Sequence, residues 1–251
     1  MLRVRDLRLH EAAEPVSLEL KAGEVVGLAG LEGHGQDVFL KALWEGAAPG
    51  SGGQVLRMSG GTEGEVEGEV ELRSPRQAAS LGIGYVPRDR RTESLFAPLS
   101  VRENFAAATQ GRDRRHGLLS PSAGRARFLP YRDSLGVRMR LPSDAITTLS
   151  GGNQQKVVIA RWLASDPKIL LLNDPTRGVD LAAKRDTYAL LDKLAAEGVA
   201  VVMLSTELDE HVELMDRVLV FREGTVGAVM ERAELSRAAL VSAFFGQEAP
   251  A

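Results

Sequence analysis

Short runs that are apolar at every position, separated by an amphipathic stretch, dominate the last third of the chain and limit its fold more tightly than any other feature. Ile169-Leu170-Leu171-Leu172, Val199 to Leu204 and Val218-Leu219-Val220-Phe221 are the three runs. A strand apolar on both faces must be covered on both, as in a parallel sheet flanked by helices. Between the first two runs, Leu181 to Glu197 has helical periodicity: Leu181, Lys184, Tyr188, Leu191 and Leu194 share one face, with Lys184 the exception to its apolarity. Asp180 is placed to cap that helix and Gly198 to stop it. Strands alternating with helices in this way imply an α/β fold with helices packed on a mostly parallel sheet.

The earlier part of the chain supplies further elements. Met1 to His10 has the pattern of a strand and not of a signal peptide. Ser17 to Leu20 alternates as a half-buried strand, Ala22-Gly23 turns the chain, and Glu24 to Ala29 is a buried strand feeding Gly30. Val38, Phe39, Ala42 and Leu43 predict a helix over Gln36 to Leu43, and Gly82 to Val86 predicts a short strand ended by Pro87. The glycine-dense stretch from Gly50 to Gly68 suggests a mobile hairpin or loop. Leu99 to Thr148 is helix-like, with breaks expected at Gly111, Pro121, Pro130 and Pro142, and would form a smaller helical subdomain (99–148) beside a core of 1–98 and 149–240. Residues 241–251 are expected to be a short tail with a frayed end.

Composition excludes several classes of function. A net charge of −3 over 251 residues gives no electrostatic case for nucleic-acid binding, and the basic cluster Arg112 to His116 is short and offset by Asp113. Without cysteine there is neither a disulfide framework nor a thiolate metal site. No stretch approaches the roughly 20 apolar residues that span a bilayer, so a membrane role would come through a partner.

Two glycine-containing segments carry the chemistry. Gly30-Leu31-Glu32-Gly33-His34-Gly35-Gln36-Asp37 stands where a strand meets a helix, the context of a phosphate loop of pattern G-x-x-x-x-G-K-[ST]. Its glycines let backbone wrap around a phosphate, but Gln36 occupies the lysine position and Asp37 the Ser/Thr position that would hold magnesium. That loses a positive contact and sets a carboxylate beside the phosphates. A glycine-rich turn without a ligand is the alternative there, and His34 is expected at the surface tip of the loop. The second segment is Leu149-Ser150-Gly151-Gly152-Asn153-Gln154-Gln155-Lys156. A Ser-Gly-Gly turn opening a helix offers a hydroxyl and unpaired N–H groups at the positive end of the dipole, which suits a phosphate. About twenty residues later the apolar run ends in Asn173-Asp174-Pro175-Thr176.

Ser150-Gly151-Gly152 at that distance before an apolar strand ending in Asn-Asp-Pro-Thr resembles the signature of ATP-binding-cassette (ABC) ATPases. The resemblance runs from about Leu2 to Glu234 and is nearest to the second, C-terminal cassette of ribose- and galactose-type sugar importers. Gly30-Leu31-Glu32-Gly33, Ser100-Val101-Arg102-Glu103-Asn104, Asn153-Gln154-Gln155-Lys156, Pro175 to Asp180 and Ser205-Thr206-Glu207-Leu208 carry it. It implies a P-loop NTPase core with a mostly parallel sheet, an antiparallel β subdomain and a helical subdomain. It also implies that Ser150, Gly151, Gly152, Asn153 and Gln154 hold the ATP of an opposite cassette, and that Gly178 and Asp180 lie in a dimer-contact loop. By the same resemblance the chain's own site is altered. Asn173 stands at the magnesium aspartate, weakening the grip on Mg2+. Asp174 stands at the glutamate that orients water, one methylene short, and a shortfall of about 1 Å can cost on the order of 100-fold in rate. Thr206 replaces a histidine that contacts the terminal phosphate, and Arg88 a glutamine that links magnesium to the transport partner. No aromatic residue precedes Phe39 to stack on adenine, and His10 is the substitute on offer.

The resemblance thus implies an importer half working with ATP and Mg2+ whose own use of them is weak or partner-dependent. Its partners would be a second cassette in a heterodimer-like pair, a membrane permease reached through Arg88 to Asn104 and the helical subdomain, and indirectly a periplasmic or lipoprotein sugar-binding protein. Nucleic acid is not among them. The chain would lie in the cytoplasm on the inner face of the membrane, as a separate subunit or as part of a fused two-cassette protein. Alternatives are a nucleoside importer cassette, a non-transport ABC protein acting on DNA or ribosomes, and a catalytically silent regulatory cassette.

Overall fold

The computed structural model describes residues 1–59, 68–110, 112–115 and 118–247. The glycine-rich loop near Gly60, the break expected at Gly111, His116 of the basic cluster and the last four residues of the expected tail lie outside the described residues.

Twelve strands and nine α-helices follow in order among the described residues. The chain begins with β1 (Leu2–Leu7), β2 (Val16–Leu20), β3 (Val25–Gly30), α1 (Gln36–Glu45), β4 (Gln54–Ser59), β5 (Gly68–Glu71), α2 (Pro75–Ser80) and β6 (Ile83–Val86). The middle holds α3 (Arg90–Glu93), α4 (Val101–Ala106), β7 (Arg114–Arg115), β8 (Leu118–Leu119), α5 (Pro121–Ser134) and α6 (Gly151–Leu163). The last third runs β9 (Ile169–Asn173), α7 (Leu181–Ala196), β10 (Ala200–Leu204), α8 (Leu208–Leu214), β11 (Arg217–Arg222), β12 (Thr225–Glu231) and α9 (Arg237–Phe244). Two compact units result: one of 1–83, 168–174 and 192–251, the other of 84–167 and 175–191. The second unit is wider than the 99–148 subdomain expected, and the division passes through β6 and α7.

In the first unit an antiparallel sheet is ordered β2-β1-β4-β5, and β2 alternates inside and outside along its whole length. Leu2 pairs with Leu20 and Val4 with Leu18, and all four are buried, as period-2 patterning requires. The larger sheet is ordered β12-β11-β3-β10-β9-β6. Its pairs β11–β3, β3–β10 and β10–β9 are parallel, and β12 adds an antiparallel edge. Every residue of β9 and β10 is buried, which is why their sequences show no alternation. Helix α1 packs against β3, β9 and β10, α8 against β3, and α9 against β11. Leu28, Leu204 and Asn173 stand in register, so the carboxyl ends of β3, β10 and β9 open at one sheet edge, where α/β folds place ligands.

The second unit is mostly helical. Val101, Phe105, Phe128, Val137, Ile146, Val157 and Ala160 form its core, with the Phe105 and Phe128 rings 4.9 Å apart. Two expectations fail here. Pro130 lies inside α5 and does not break it. Its missing N–H would have bonded the carbonyl of Ala126, and both residues are on the exposed side, where that carbonyl meets water. Pro121 starts the same helix at its first position, capped by Ser120, whose Oγ accepts from Ala123 N–H at 3.3 Å. In α7, Leu181 is 66% exposed, so the predicted apolar face becomes buried only at Leu191 and Leu194. Asp180 caps that helix as expected, its Oδ1 accepting from Ala183 N–H at 2.9 Å.

Candidate functional site

Strand β3 delivers Gly30 to a loop that wraps back into α1. Gly30, Gly33 and Gly35 have φ of 156°, 84° and 101°, values that side-chain-bearing residues rarely adopt. The first intrahelical bond of α1 runs from Phe39 N–H to Gly35 O at 2.8 Å, so the N–H groups of Gln36, Asp37 and Val38 precede the ladder, an arrangement that suits an anion. Gln36 is turned away from that role. Its Nε2 donates to Leu31 O at 2.9 Å and Gly30 O at 3.3 Å, closing the loop on itself, while its Oε1 is buried without a partner. Asp37 is an exposed carboxylate in the first turn. His34 is not a surface tip. It is half-buried, its Nδ1 donates to Phe221 O at 3.3 Å and its carbonyl accepts from Gly224 N–H at 3.0 Å, pinning the loop to the turn between β11 and β12. His10 is exposed, and its Nε2 lies 3.1 Å from Glu223 O.

At the ends of β9 and β10 the first unit places Asn173, Asp174 and Thr206. Asn173 is 8% exposed and its Oδ1 has no hydrogen-bond partner, leaving one neutral oxygen for a cation. Asp174 adopts φ 51°, is 3% exposed, and its Oδ2 accepts from the Thr206 hydroxyl at 3.1 Å. Among the described residues no group of three or more His, Cys, Asp or Glu could hold a metal ion. The donor set therefore does not fit a magnesium cage made of protein. The N–H groups at the start of α1 fit a phosphate.

The signature lies in the second unit, at the start of α6. Ser150 is exposed, and unlike most serine caps its hydroxyl takes no hydrogen bond from a backbone N–H. It accepts instead from Asn153 Nδ2 at 2.9 Å, while Asn153 Oδ1 accepts from Arg138 N–H at 2.6 Å. The Ser150 O–H remains available to donate. The first bond of the ladder is Gln154 N–H to Ser150 O at 2.9 Å, so the N–H groups of Gly151, Gly152 and Asn153 also point at an incoming acceptor. Gln154 is buried, and its Nε2 donates to Ile146 O at 3.3 Å and Leu149 O at 3.1 Å; it shapes the turn. A groove of about 670 Å³ lined by Arg138, Arg140, Asp144, Ser150 and Asn153 opens beside the helix.

Gly178 (φ 68°) sets its carbonyl 3.9 Å from the point where a Cβ on Gly151 would stand, and a Cβ on Gly152 would touch Val179 and Ala183. The stretch Gly178 to Asp180 thus packs on the signature turn within one unit. Arg88 is half-buried just after Pro87. Sequence reasoning missed Arg90, whose Nη2 stands 2.5 Å from the Cβ position of Gly151. Its only linear signal is Asp89, which caps α3.

Comparison with known proteins identifies the family and the fold. The ABC transporter family profile matches residues 13–177. The ribose import ATP-binding protein RbsA 1 of Rhizobium johnstonii is 39% identical over 246 residues, covering 97% of this chain and 46% of that protein. RbsA of Geobacillus kaustophilus is 38% identical, with 98% and 48% covered. The chain spans about half the length of these relatives. Among solved structures, the dimeric post-hydrolysis state of the ATP-binding cassette MJ0796 with ADP and Pi superposes with a TM-score of 0.74 at 23% identity, covering 92% of this chain and 99% of that one. The ADP conformation of the MJ1267 cassette gives 0.75 at 20% identity, with 98% and 99% covered. The likeness establishes the fold.

Proposed function

Because this chain belongs to the ABC transporter family, we propose that it is a nucleotide-binding half of a sugar importer that lends its signature to ATP held by a partner cassette. The contrast between two serviceable helix starts supports this reading. At α6 the Ser150 O–H and three backbone N–H groups are free to donate, the hydroxyl oxygen accepting only from Asn153 Nδ2. At α1 the side chain in the lysine position is folded onto its own loop carbonyls. An incoming terminal phosphate is therefore better served by Ser150, Gly151 and Gly152 than by Gln36 and Asp37. Tighter binding of ATP to the closed pair than to the open one would drive closure. The sugar comes from the relatives' names, which say ribose import. Cytoplasmic placement beneath a permease follows from that role, and no described helix is long and apolar enough to cross a membrane.

Steady-state ATPase of the purified chain, alone and mixed with a cassette whose phosphate loop keeps its lysine, tests the proposal. Turnover should be negligible alone, appear in the mixture, and fall by a factor of 100 or so with Ser150→Arg, comparable to losing one preorganised transition-state donor. Robust turnover by the chain alone would defeat the trans arrangement. A silent regulatory cassette is a second reading, favoured by the neutral oxygen at Asn173 in place of a charged ligand. Absence of turnover in the mixture, with Mg-ATP still bound in calorimetry, would select it.

A further inference from the structure

Arg90 is a partly buried cation that forms no salt bridge among the described residues. Its side chain is half-buried, its Nε is shielded from solvent without a hydrogen bond, and among the described residues no carboxylate pairs with it. The adjacent acid, Asp89, commits its Oδ1 to the N–H groups of Arg91 and Thr92 at 2.9 and 3.3 Å. Burial, and secondarily the neighbouring Arg91, push the Arg90 pKa down, and the charge of Asp89 only partly opposes them. Arg161 in the same unit shows what a structural arginine looks like here: its guanidinium donates to Asn104 O, Ser94 O, Ser94 Oγ and Asn104 Oδ1 at 2.6 to 3.4 Å. Arg90 has no such set.

Its position accounts for the difference. The Arg90 Nη2 rests 2.5 Å from the Cβ position of Gly151, so a glycine is what lets the guanidinium lie against the first residue of α6. That helix end is already positive, from three unpaired N–H groups and the dipole. Two positive groups converging there repel each other until an anion joins them. A phosphate has oxygens enough for the guanidinium fork and the N–H groups together.

We propose that Arg90 is a further phosphate-binding residue of the signature, making a direct charged contact to the terminal phosphate presented by the partner cassette. The inference rests on the signature reading above. Its place in the chain also gives a reason for Gly151 beyond backbone access, since a side chain there would displace the guanidinium.

The test is an amide NMR titration of the full chain with inorganic pyrophosphate at constant ionic strength. In the wild type the Gly151 and Gly152 amides should shift in a saturable way. Arg90→Ala should bind roughly tenfold more weakly at those amides, Arg90→Lys should fall between, and Arg91→Ala, which removes an equal charge from an exposed neighbour, should match the wild type. Arg90→Gln, neutral and of similar reach, repeats the measurement should the alanine variant not fold. Equal affinity for wild type and Arg90→Ala, or an equal loss with Arg91→Ala, overturns the role of Arg90 while leaving the signature reading intact. A wild type whose Gly151 and Gly152 amides do not respond overturns both.

Discussion

At position 211 an imidazole is buried where only its neutral form fits. His211 is 1% exposed, and its Nε2 lies 3.0 Å from Ser205 O; a carbonyl only accepts, so Nε2 carries the proton. Nδ1 has no partner and faces Gly27, where a Cβ would come within 2.7 Å. Protonating Nδ1 would bury a donor with nothing to receive it. Burial accordingly lowers the His211 pKa from 6.5, opposed by the Ser205 carbonyl and the Glu210 charge. Between the lowered folded value and 6.5 the unfolded chain binds more protons than the folded one, so stability rises with pH through that window. The contribution is complete above about 6.5 and is lost as the pH falls toward the folded value. The melting temperature should therefore drop between about pH 7.5 and 5, and His211→Gln should reduce that drop. A variant with the wild-type pH profile would assign the acid sensitivity elsewhere. The consequence is local to the site, because Ser205 precedes Thr206, whose hydroxyl holds the Asp174 carboxylate.

Helix α6 packs apolar residues into the core of its unit and adds one buried charge. Arg161 is 5% exposed and its pKa is pushed down to about 10 by burial, so it remains a cation near neutral pH. Its acceptors are Asn104 and Ser94, and Asn104 in turn donates to the carbonyls of Phe96, Leu99 and Ser100 at 3.0 to 3.2 Å. The helix thus fixes the 94–104 segment, the same stretch expected to face a permease. Arg161→Met leaves the Ser94 and Asn104 carbonyls buried and unpaired, and should cost about 2–4 kcal/mol in urea unfolding. A loss below about 0.5 kcal/mol would show that the segment is held without it. This link was hidden in the sequence: Arg161 follows Val157-Val158-Ile159-Ala160 and looks like any polar interruption of an apolar face. Strands β3, β9, β10 and β11 were legible because burial on both faces leaves a continuous apolar run, too short for a helix and rich in branched residues. Gln36, Asp37 and Thr206 were legible as departures, because position in a motif is a linear property. What they do instead was not legible. That the Gln36 amide bonds its own loop, that His34 is pinned by Phe221, and that Asn153 rather than a backbone N–H occupies Ser150 are facts of side-chain direction. Pro130 failed for a related reason, since its cost depends on which face of α5 it occupies.

For the whole molecule the proposal turns on whether Gln36, Asp37 and Thr206 would by themselves prevent two copies of the chain from closing on ATP. A nucleotide-sandwiched dimer needs one sound cradle and one sound signature at each site, contributed by different copies. If the signature of this chain is sound, repairing its cradle should let two copies close on ATP. Gln36→Lys, Asp37→Ser and Thr206→His together restore a positive contact, a magnesium hydroxyl and a terminal-phosphate contact. The triple variant should bind Mg-ATP in calorimetry and self-associate in sedimentation only when Mg-ATP is present, because a ligand that binds the closed pair more tightly shifts the chain toward it. The wild type should not associate under the same conditions. Adding Ser150→Arg to the triple variant should abolish association and leave Mg-ATP binding in place, since in the proposed arrangement the serine would act on the other copy's nucleotide. Turnover should stay low even in the closed pair: Asp174 is held by Thr206 in the wild type, and without that bond it is still one methylene short of the water-orienting glutamate. A triple variant that binds Mg-ATP yet stays monomeric would mean that Ser150, Gly151 and Gly152 do not receive a phosphate, and the defect would then lie in both halves of the chain.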